Sequence, residues 1–122
     1  MSVTTLNTAI ITGNLAADPE IKEIELSGGT SRVAEATIYV RYRRDRDKSF
    51  RVDLSIWEDS SGWRVLDYLK KGSLICVYGA IEPSPYITST HNEPRAGLQM
   101  TPDRIELISV KGDEQNNEAE AA

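Results

Sequence analysis

The sequence SRVAEATIYVRYRR (residues 31–44) and, after a short connection, FRVDLSIW (residues 50–57) decide the fold. In both segments apolar side chains recur at every second position, which places them on one face of a β-strand. The set that predicts a core face is Ala34, Ala36, Ile38, Val40, Phe50, Val52, Leu54 and Ile56. Trp57 falls in the other, polar phase of the second segment. A ring placed there is either covered by another part of the protein or available to a flat apolar ligand.

The connection between the two strands concentrates positive charge. The span from Arg41 to Arg51 holds six basic and two acidic residues, whereas the whole chain has a net charge of −5. A basic cluster in a chain of negative net charge predicts a polyanion site. Lys and Arg side chains also keep exposed strands from pairing edge to edge, which is the alternative explanation. The candidate phosphate contacts are Arg41, Arg43, Arg44, Arg46, Lys48 and Arg51.

Exposed aromatic side chains beside basic ones are typical of a single-strand binder, because every nucleotide offers a phosphate charge and a base face. The candidate stacking residues are Trp57, Tyr86, Tyr39 and Tyr42. Tyr39 shares the outer phase with Arg41, whereas Tyr42 falls in the core phase near the strand end, where it can simply pack. The sequence does not decide whether Tyr78 contacts a neighbouring subunit or a nucleic acid. It predicts a solvated loop position for His91.

Composition argues against several other classes of protein. One Cys and one His leave no metal-ligand cluster, and Cys76 in the run LICVYGAI is predicted to be a small buried hydrophobe. The carboxylate pair Asp18 and Glu20 has no His, nucleophile or phosphate loop to complete an active site. We therefore expect no metal, no cofactor and no enzymatic activity. Neither a signal peptide nor a membrane-spanning run is evident, so a cytoplasmic, nucleoid-associated location is expected.

Outside the central hairpin, the sequence predicts further strands at about residues 7–12, 73–82 and 98–108, with the last one broken at Pro102. A further extended segment is predicted at residues 21–26. The three-residue spacing of Trp63, Leu66 and Leu69 predicts a helix that begins after Asp59 or Ser60 and runs to about Leu69. An all-β chain of five strands, with one short helix between the third and fourth, fits a five-stranded OB-fold barrel.

The composition changes at Lys111. The segment KGDEQNNEAEAA contains four acidic residues, one lysine and no aromatic residue. Such a segment cannot bury enough apolar surface to order itself. We therefore expect an OB-fold domain at residues 1–110 and a flexible, disordered acidic C-terminal tail at residues 111–122.

Three segments, in their order and spacing, carry a resemblance to a known family. They are NTAIITGNLAADPEIKEI (residues 7–24), DLSIW (53–57) and DYLKKGSLICVYGAI (67–81). Together they are similar to the bacterial-type single-stranded DNA-binding protein family, over about residues 7–108. The resemblance implies an OB-fold that assembles through its sheets, usually as a homotetramer. It also implies sequence-independent wrapping and protection of single-stranded DNA during replication, recombination and repair.

The base-stacking positions of that family carry over in part. Two of them fall on Trp57 and Tyr86, which are aromatic here. The position near the start of the third barrel strand falls on Arg51, and the one toward the end of the second falls on or near Arg44, with Tyr42 two residues earlier. An arginine can stack on a base while adding charge, so the resemblance implies a changed balance between stacking and electrostatics.

The C-terminus is a second departure from the family pattern. Family members that recruit replication and repair enzymes end in an acidic tip closed by apolar residues including Phe, whereas this sequence ends in EAEAA. Recruitment by that route is therefore not expected.

Two other functions are consistent with the same residues. An OB-fold RNA-binding module would use the same stacking and charge, and it would bind matched RNA at least as tightly as DNA. A scaffold or adaptor paralogue, held in an oligomer by its sheets, would make DNA contact secondary. It would lose little function on Trp57→Ala.

Overall fold

The computed structural model describes residues 5–109, which form eight β-strands and one 3-10 helix. The strands are β1 (Ala9–Leu15), β2 (Glu20–Leu26), β3 (Gly29–Arg41), β4 (Ser49–Trp57), β5 (Leu74–Pro83), β6 (Tyr86–Ile87), β7 (Pro94–Arg95) and β8 (Leu98–Ser109). The helix spans Ser61–Tyr68. The predicted tail at residues 111–122 lies outside the described residues. Within residues 5–109, no helix has both the length and the apolar character needed to cross a membrane.

Five of these strands close into a barrel in the order β1-β5-β8-β4-β3. The barrel closes where β3 returns to β1, through the pairs Asn14–Tyr39 and Leu15–Ile38. β2 pairs with the first half of β3, and β6 and β7 form a small separate hairpin between β5 and β8. The helix lies between the third and fourth barrel strands, so the predicted OB-fold is confirmed.

The barrel interior is filled by the apolar phase of the central hairpin. Ala34, Ile38, Val52, Leu54 and Ile56 are buried, and the remaining predicted members, Ala36, Val40 and Phe50, pack against this core while partly exposed. The two-residue periodicity therefore assigned the faces of β3 and β4 correctly. Cys76 is buried, as predicted.

β1 begins and ends later than the sequence predicts. Gly13 lies inside the strand. At this point β1 passes so close to β3 that a Cβ at Gly13 would lie 2.8 Å from the carbonyl oxygen of Tyr39, which explains the glycine. Asn7, the predicted first strand residue, contributes its side chain instead. Its Nδ2 donates to the carbonyl of Ile81 at 2.7 Å, and its Oδ1 accepts from the amide of Ile81 at 3.1 Å. The Asn7 amide group thus extends the pairing of β1 with β5.

The helix forms where predicted, but as a 3-10 helix. The side chains of Trp63, Leu66 and Leu69 recur every three residues, which matches the three residues per turn of a 3-10 helix. Leu66 and Leu69 are buried, and Trp63 packs against the core. Ser60 precedes the helix without capping it, because its hydroxyl donates to the carbonyl of Trp57 at 2.7 Å.

Pro102 does not break the last strand. β8 continues through it with a β-bulge: Tyr78 of β5 pairs with Arg104 and Gly79 pairs with Pro102, so Asp103 is the extra residue. The hydroxyl of Ser61 donates to the carbonyl of Asp103 at 2.5 Å. The bulge thereby ties β8 to the start of the helix.

Candidate nucleic-acid interface

The outer face of β3 and β4 carries the polar phase of the central hairpin. Tyr39 lies opposite Arg51, and Thr37 lies opposite Asp53. Directly opposed side chains share one face, with Cβ atoms about 5 Å apart. At about 3.4 Å per residue, the six steps along the strand from Arg51 to Trp57 span about 20 Å. This face therefore has aromatic side chains near both ends and polar ones between them.

Trp57 is half-buried and lies opposite Val33, which is buried at 2% exposure. The indole ring therefore lies beside Val33 and remains partly open to solvent. The structure places Trp57 on the outer face, as the strand phase predicted. A ring in this position can pack on the sheet and still offer surface to a ligand.

Arg51 makes two side-chain contacts on this face, with Asp53 and with Tyr86. Its Nε donates to Oδ1 of Asp53 at 2.8 Å, and the hydroxyl of Thr37 donates to the same oxygen at 2.9 Å. Its guanidinium carbon lies 4.8 Å from the ring centroid of Tyr86. The hydrogen bond to Asp53 is the main cause that raises the pKa of Arg51 above its ordinary value. Asp53 and Tyr86 therefore orient the guanidinium, whereas the sequence offered Arg51 as a phosphate contact or as a group that stacks on a base.

The connection between β3 and β4 is a short loop closed at its base. The amide of Tyr42 donates to the carbonyl of Lys48 at 2.9 Å, and the amide of Lys48 donates to the carbonyl of Asp45 at 3.1 Å. All residues from 41 to 49 are exposed. Among the described residues, no acidic partner forms an ion pair with Arg41 at the end of β3 or with the loop arginines Arg43, Arg44 and Arg46. Their charge is available to a polyanion.

A groove of about 570 Å³, here called the loop groove, separates this loop from the β6–β7 hairpin. Tyr42 and Phe50 lie on the loop side, with ring centroids 6.0 Å apart and an interplanar angle of 51°. Tyr86 and its cross-strand partner Arg95 lie on the hairpin side. The lining residues are Tyr42, Lys48, Ser49, Phe50, Tyr86, Pro94, Arg95 and Ala96. Three aromatic and two basic side chains therefore meet in one groove.

The sequence did not assign Phe50 or Arg95 to the site. Phe50 was correctly placed in the core phase, but it is near the start of β4 and only partly buried, so it reaches the rim of the barrel. Its position beside Arg51 at the strand start was the available signal. Arg95 joins the groove through its pairing with Tyr86, and a hairpin register of this kind has no local sequence signal.

A second groove, here called the sheet groove, has a volume of about 490 Å³ and follows the outer face of β3 and β4. Its carboxylates are Asp18, Glu20, Glu35 and Asp53, and Arg51 is its one basic lining residue. Its exposed acidic side chains repel phosphate, whereas its polar groups can accept hydrogen bonds from base edges. A phosphate backbone is therefore better accommodated on the loop side of Arg51.

The other candidates are dispersed. Tyr39 and Tyr42 are about half-exposed, and Tyr39 lines the sheet groove. Tyr78 lies under the guanidinium of Arg104, at 5.2 Å, on the β5–β8 side of the barrel. His91 is exposed, next to Asn92 in the turn between β6 and β7. Within residues 5–109, no three His, Cys, Asp or Glu side chains are grouped closely enough to hold a metal ion.

The chain forms a closed five-stranded barrel with a helix between the third and fourth barrel strands. Aromatic and basic side chains surround one groove on it. These features place the chain in the class of OB-fold binding proteins. Comparison with known proteins narrows this class. The chain belongs to the single-strand binding protein family, whose model matches residues 6–108.

Two relatives are similar over nearly the whole chain. They are Single-stranded DNA-binding protein 1 of Nostoc sp. and the Single-stranded DNA-binding protein of Anabaena variabilis. Each is 26% identical over 117 residues, which cover 96% of this chain and 95% of the relative. The resemblance expected from the sequence segments is confirmed.

Proposed function

We propose that the protein binds and protects single-stranded DNA without sequence preference, as a non-enzymatic component of replication, recombination and repair. The loop groove carries this proposal, because it brings Tyr42, Phe50 and Tyr86 together with Lys48 and Arg95 beside exposed loop arginines. Family membership and the names of the two relatives support it.

In the proposed complex the phosphate backbone follows the basic loop, and bases turn toward the aromatic rings. Arg41, Arg43, Arg44, Arg46 and Lys48 contact phosphates, while Tyr42, Tyr86, Tyr39 and Trp57 stack on bases. Each stacked base contributes about 1 to 3 kcal/mol, and every base has a π-face to offer. Binding of this kind tolerates any sequence.

We also propose that the protein is a homo-oligomer, with a tetramer as the expected form, and that it acts in the cytoplasm, associated with the nucleoid. The outer face of β1 and β5 supports assembly, since Ile10 is 66% exposed and lies directly opposite Tyr78. An exposed apolar side chain beside an aromatic one favours a protein contact. Light scattering of the full wild-type chain and of the Ile10→Asp variant tests the proposed assembly. A monomeric wild type would refute it.

The test of the main proposal is a fluorescence titration with oligo-dT at two salt concentrations, repeated with matched RNA and with duplex DNA. Strong quenching by oligo-dT alone, weakening with salt, is expected. Equal or tighter binding of RNA would instead favour an RNA-binding module. No binding to any of the three would refute nucleic-acid binding and favour a scaffold role.

A further inference from the structure

Arg51 lies on the boundary between the two grooves. It lines the sheet groove but not the loop groove, whereas Tyr86 lines the loop groove but not the sheet groove. The 4.8 Å contact between the guanidinium and the Tyr86 ring joins them. One side of Tyr86 is therefore covered by Arg51, its ring edge lies close to Gly97, and the residue also lines the loop groove together with Tyr42 and Phe50.

Asp53 and Thr37 set the orientation of the Arg51 guanidinium. Asp53 lies two residues along β4, so its carboxylate shares the outer face with the guanidinium. Thr37 lies opposite Asp53 in the pairing of β3 and β4 and donates to the oxygen that accepts from Arg51. A chain of contacts thus runs from Thr37 through Asp53 and Arg51 to Tyr86. It connects the rigid sheet to the β6–β7 hairpin.

The hairpin is otherwise joined to the barrel at its base. The amide of Ser84 donates to the carbonyl of Gly97 at 2.9 Å, which closes the hairpin between β5 and β8. Its internal bonds hold the turn, with the amide of Thr88 donating to the carbonyl of Glu93 at 2.9 Å. The contact of Tyr86 with Arg51 lies beyond this base and is suited to fix the angle of the hairpin.

We propose that Arg51, oriented by Asp53 and Thr37, is a positioning residue that holds the β6–β7 hairpin so that the ring of Tyr86 can stack on a base. This inference rests on the proposed function and refines it, because it removes Arg51 from the phosphate contacts. The planar guanidinium suits the role, since it can stack on a ring while its Nε donates to a carboxylate.

The positioning role and a phosphate-contact role predict opposite effects at Asp53. If Arg51 contacted phosphate, removal of the neighbouring negative charge would strengthen DNA binding. If Arg51 positions Tyr86, Asp53→Asn weakens the charge-assisted hydrogen bond that orients the guanidinium, and DNA binding weakens with it. Arg51→Lys also separates the roles, because lysine keeps the charge but loses the planar stacking group.

The experiment compares the wild-type full chain with Asp53→Asn, Arg51→Lys and Glu35→Gln. Glu35→Gln is the matched control, since it removes one negative charge from the same groove without a contact to Arg51. Oligo-dT affinity is measured over a salt series, and hydrogen exchange of residues 84–97 is measured without DNA. The exchange measurement reports on the hairpin independently of binding.

We expect Asp53→Asn and Arg51→Lys to bind oligo-dT about two- to fivefold more weakly, the effect of one exposed cation–π contact, with an unchanged salt slope. Their hairpin amides should exchange faster than those of the wild type and Glu35→Gln. Binding by Asp53→Asn as tight as that of Glu35→Gln, or unchanged exchange in both variants, would overturn the inference. Failure of the wild type to bind would refute the proposed function, while the exchange data would still decide whether Arg51 holds the hairpin.

Discussion

Tyr86 and Arg95 are direct cross-strand partners in the β6–β7 hairpin, and both line the groove that faces the basic loop. An aromatic ring and a guanidinium thus lie on neighbouring strands of the same hairpin. A single nucleotide offers a base face to an aromatic ring and a phosphate to a guanidinium. The pair can therefore contact both parts of one nucleotide.

Replacing Arg95 by Ala should lower oligo-dT affinity and reduce the slope of log K against log salt by about 0.7, the contribution of one phosphate contact on a single strand. A salt series monitored by fluorescence measures both. Arg104→Ala is the matched control, because both arginines pair with a glutamate two residues away and Arg104 lies outside the loop groove. Equal slopes for the two variants would place the phosphate path away from the hairpin.

The triple replacement of Arg43, Arg44 and Arg46 by Ala should reduce the salt slope by about 2, since each phosphate contact contributes about 0.7. The exposed loop carries no core residue, so the unfolding midpoint should remain unchanged. Arg64, Lys70 and Lys71 are also exposed, and their triple replacement removes the same charge on and after the helix. If this second triple flattens the slope equally, only net charge matters and the loop has no special role.

Trp57→Ala should weaken binding by about 1 to 3 kcal/mol, and by a similar amount at low and high salt, because stacking is not screened by ions. Titration by anisotropy of labelled oligo-dT measures this without the lost fluorophore. Tyr68→Ala removes an exposed ring at the end of the helix and should bind as the wild type does. A Trp57→Ala protein that unfolds would show that the ring serves mainly to cover Val33.

Gly13→Ala tests the closure of the barrel. A Cβ at this position would press on the Tyr39 carbonyl at 2.8 Å and on the Ile38 side chain at 3.2 Å. The free energy of unfolding should fall by about 1 to 3 kcal/mol, as measured by urea denaturation. Gly28→Ala, where a Cβ would meet nothing within 4 Å, should cost much less. Equal midpoints for the two variants would mean that β1 and β3 can separate without loss.

The features predicted from sequence are those set by local periodicity. Alternation at every second residue placed Ala34, Ile38, Leu54 and Ile56 in the core, and a three-residue spacing located the helix. The outer-face position of Trp57 followed from the same alternation. These signals need no knowledge of the rest of the chain, because each strand or helix imposes its own repeat.

The features missed depend on contacts between distant segments. Gly13 lies within a strand because β3 approaches it, and the bulge at Asp103 depends on the pairing of β5 with β8. Arg95 joins the loop groove through a hairpin register, and Arg51 is engaged by Asp53 and Tyr86. Charge alone could not distinguish an arginine that is already engaged from one that is free.

In the central hairpin, alternate residues face the barrel core and the outer surface. In β3 and β4 the even-numbered residues from 34 to 40 and from 50 to 56 form or flank the core, while odd-numbered residues from 35 to 39 and from 51 to 57 face outward. The outward positions other than Trp57, whose ring lies beside the buried Val33, can therefore be varied without repacking the barrel interior. The hairpin is a natural template for engineering: a library restricted to these odd positions would explore new ligand preferences on an unaltered fold.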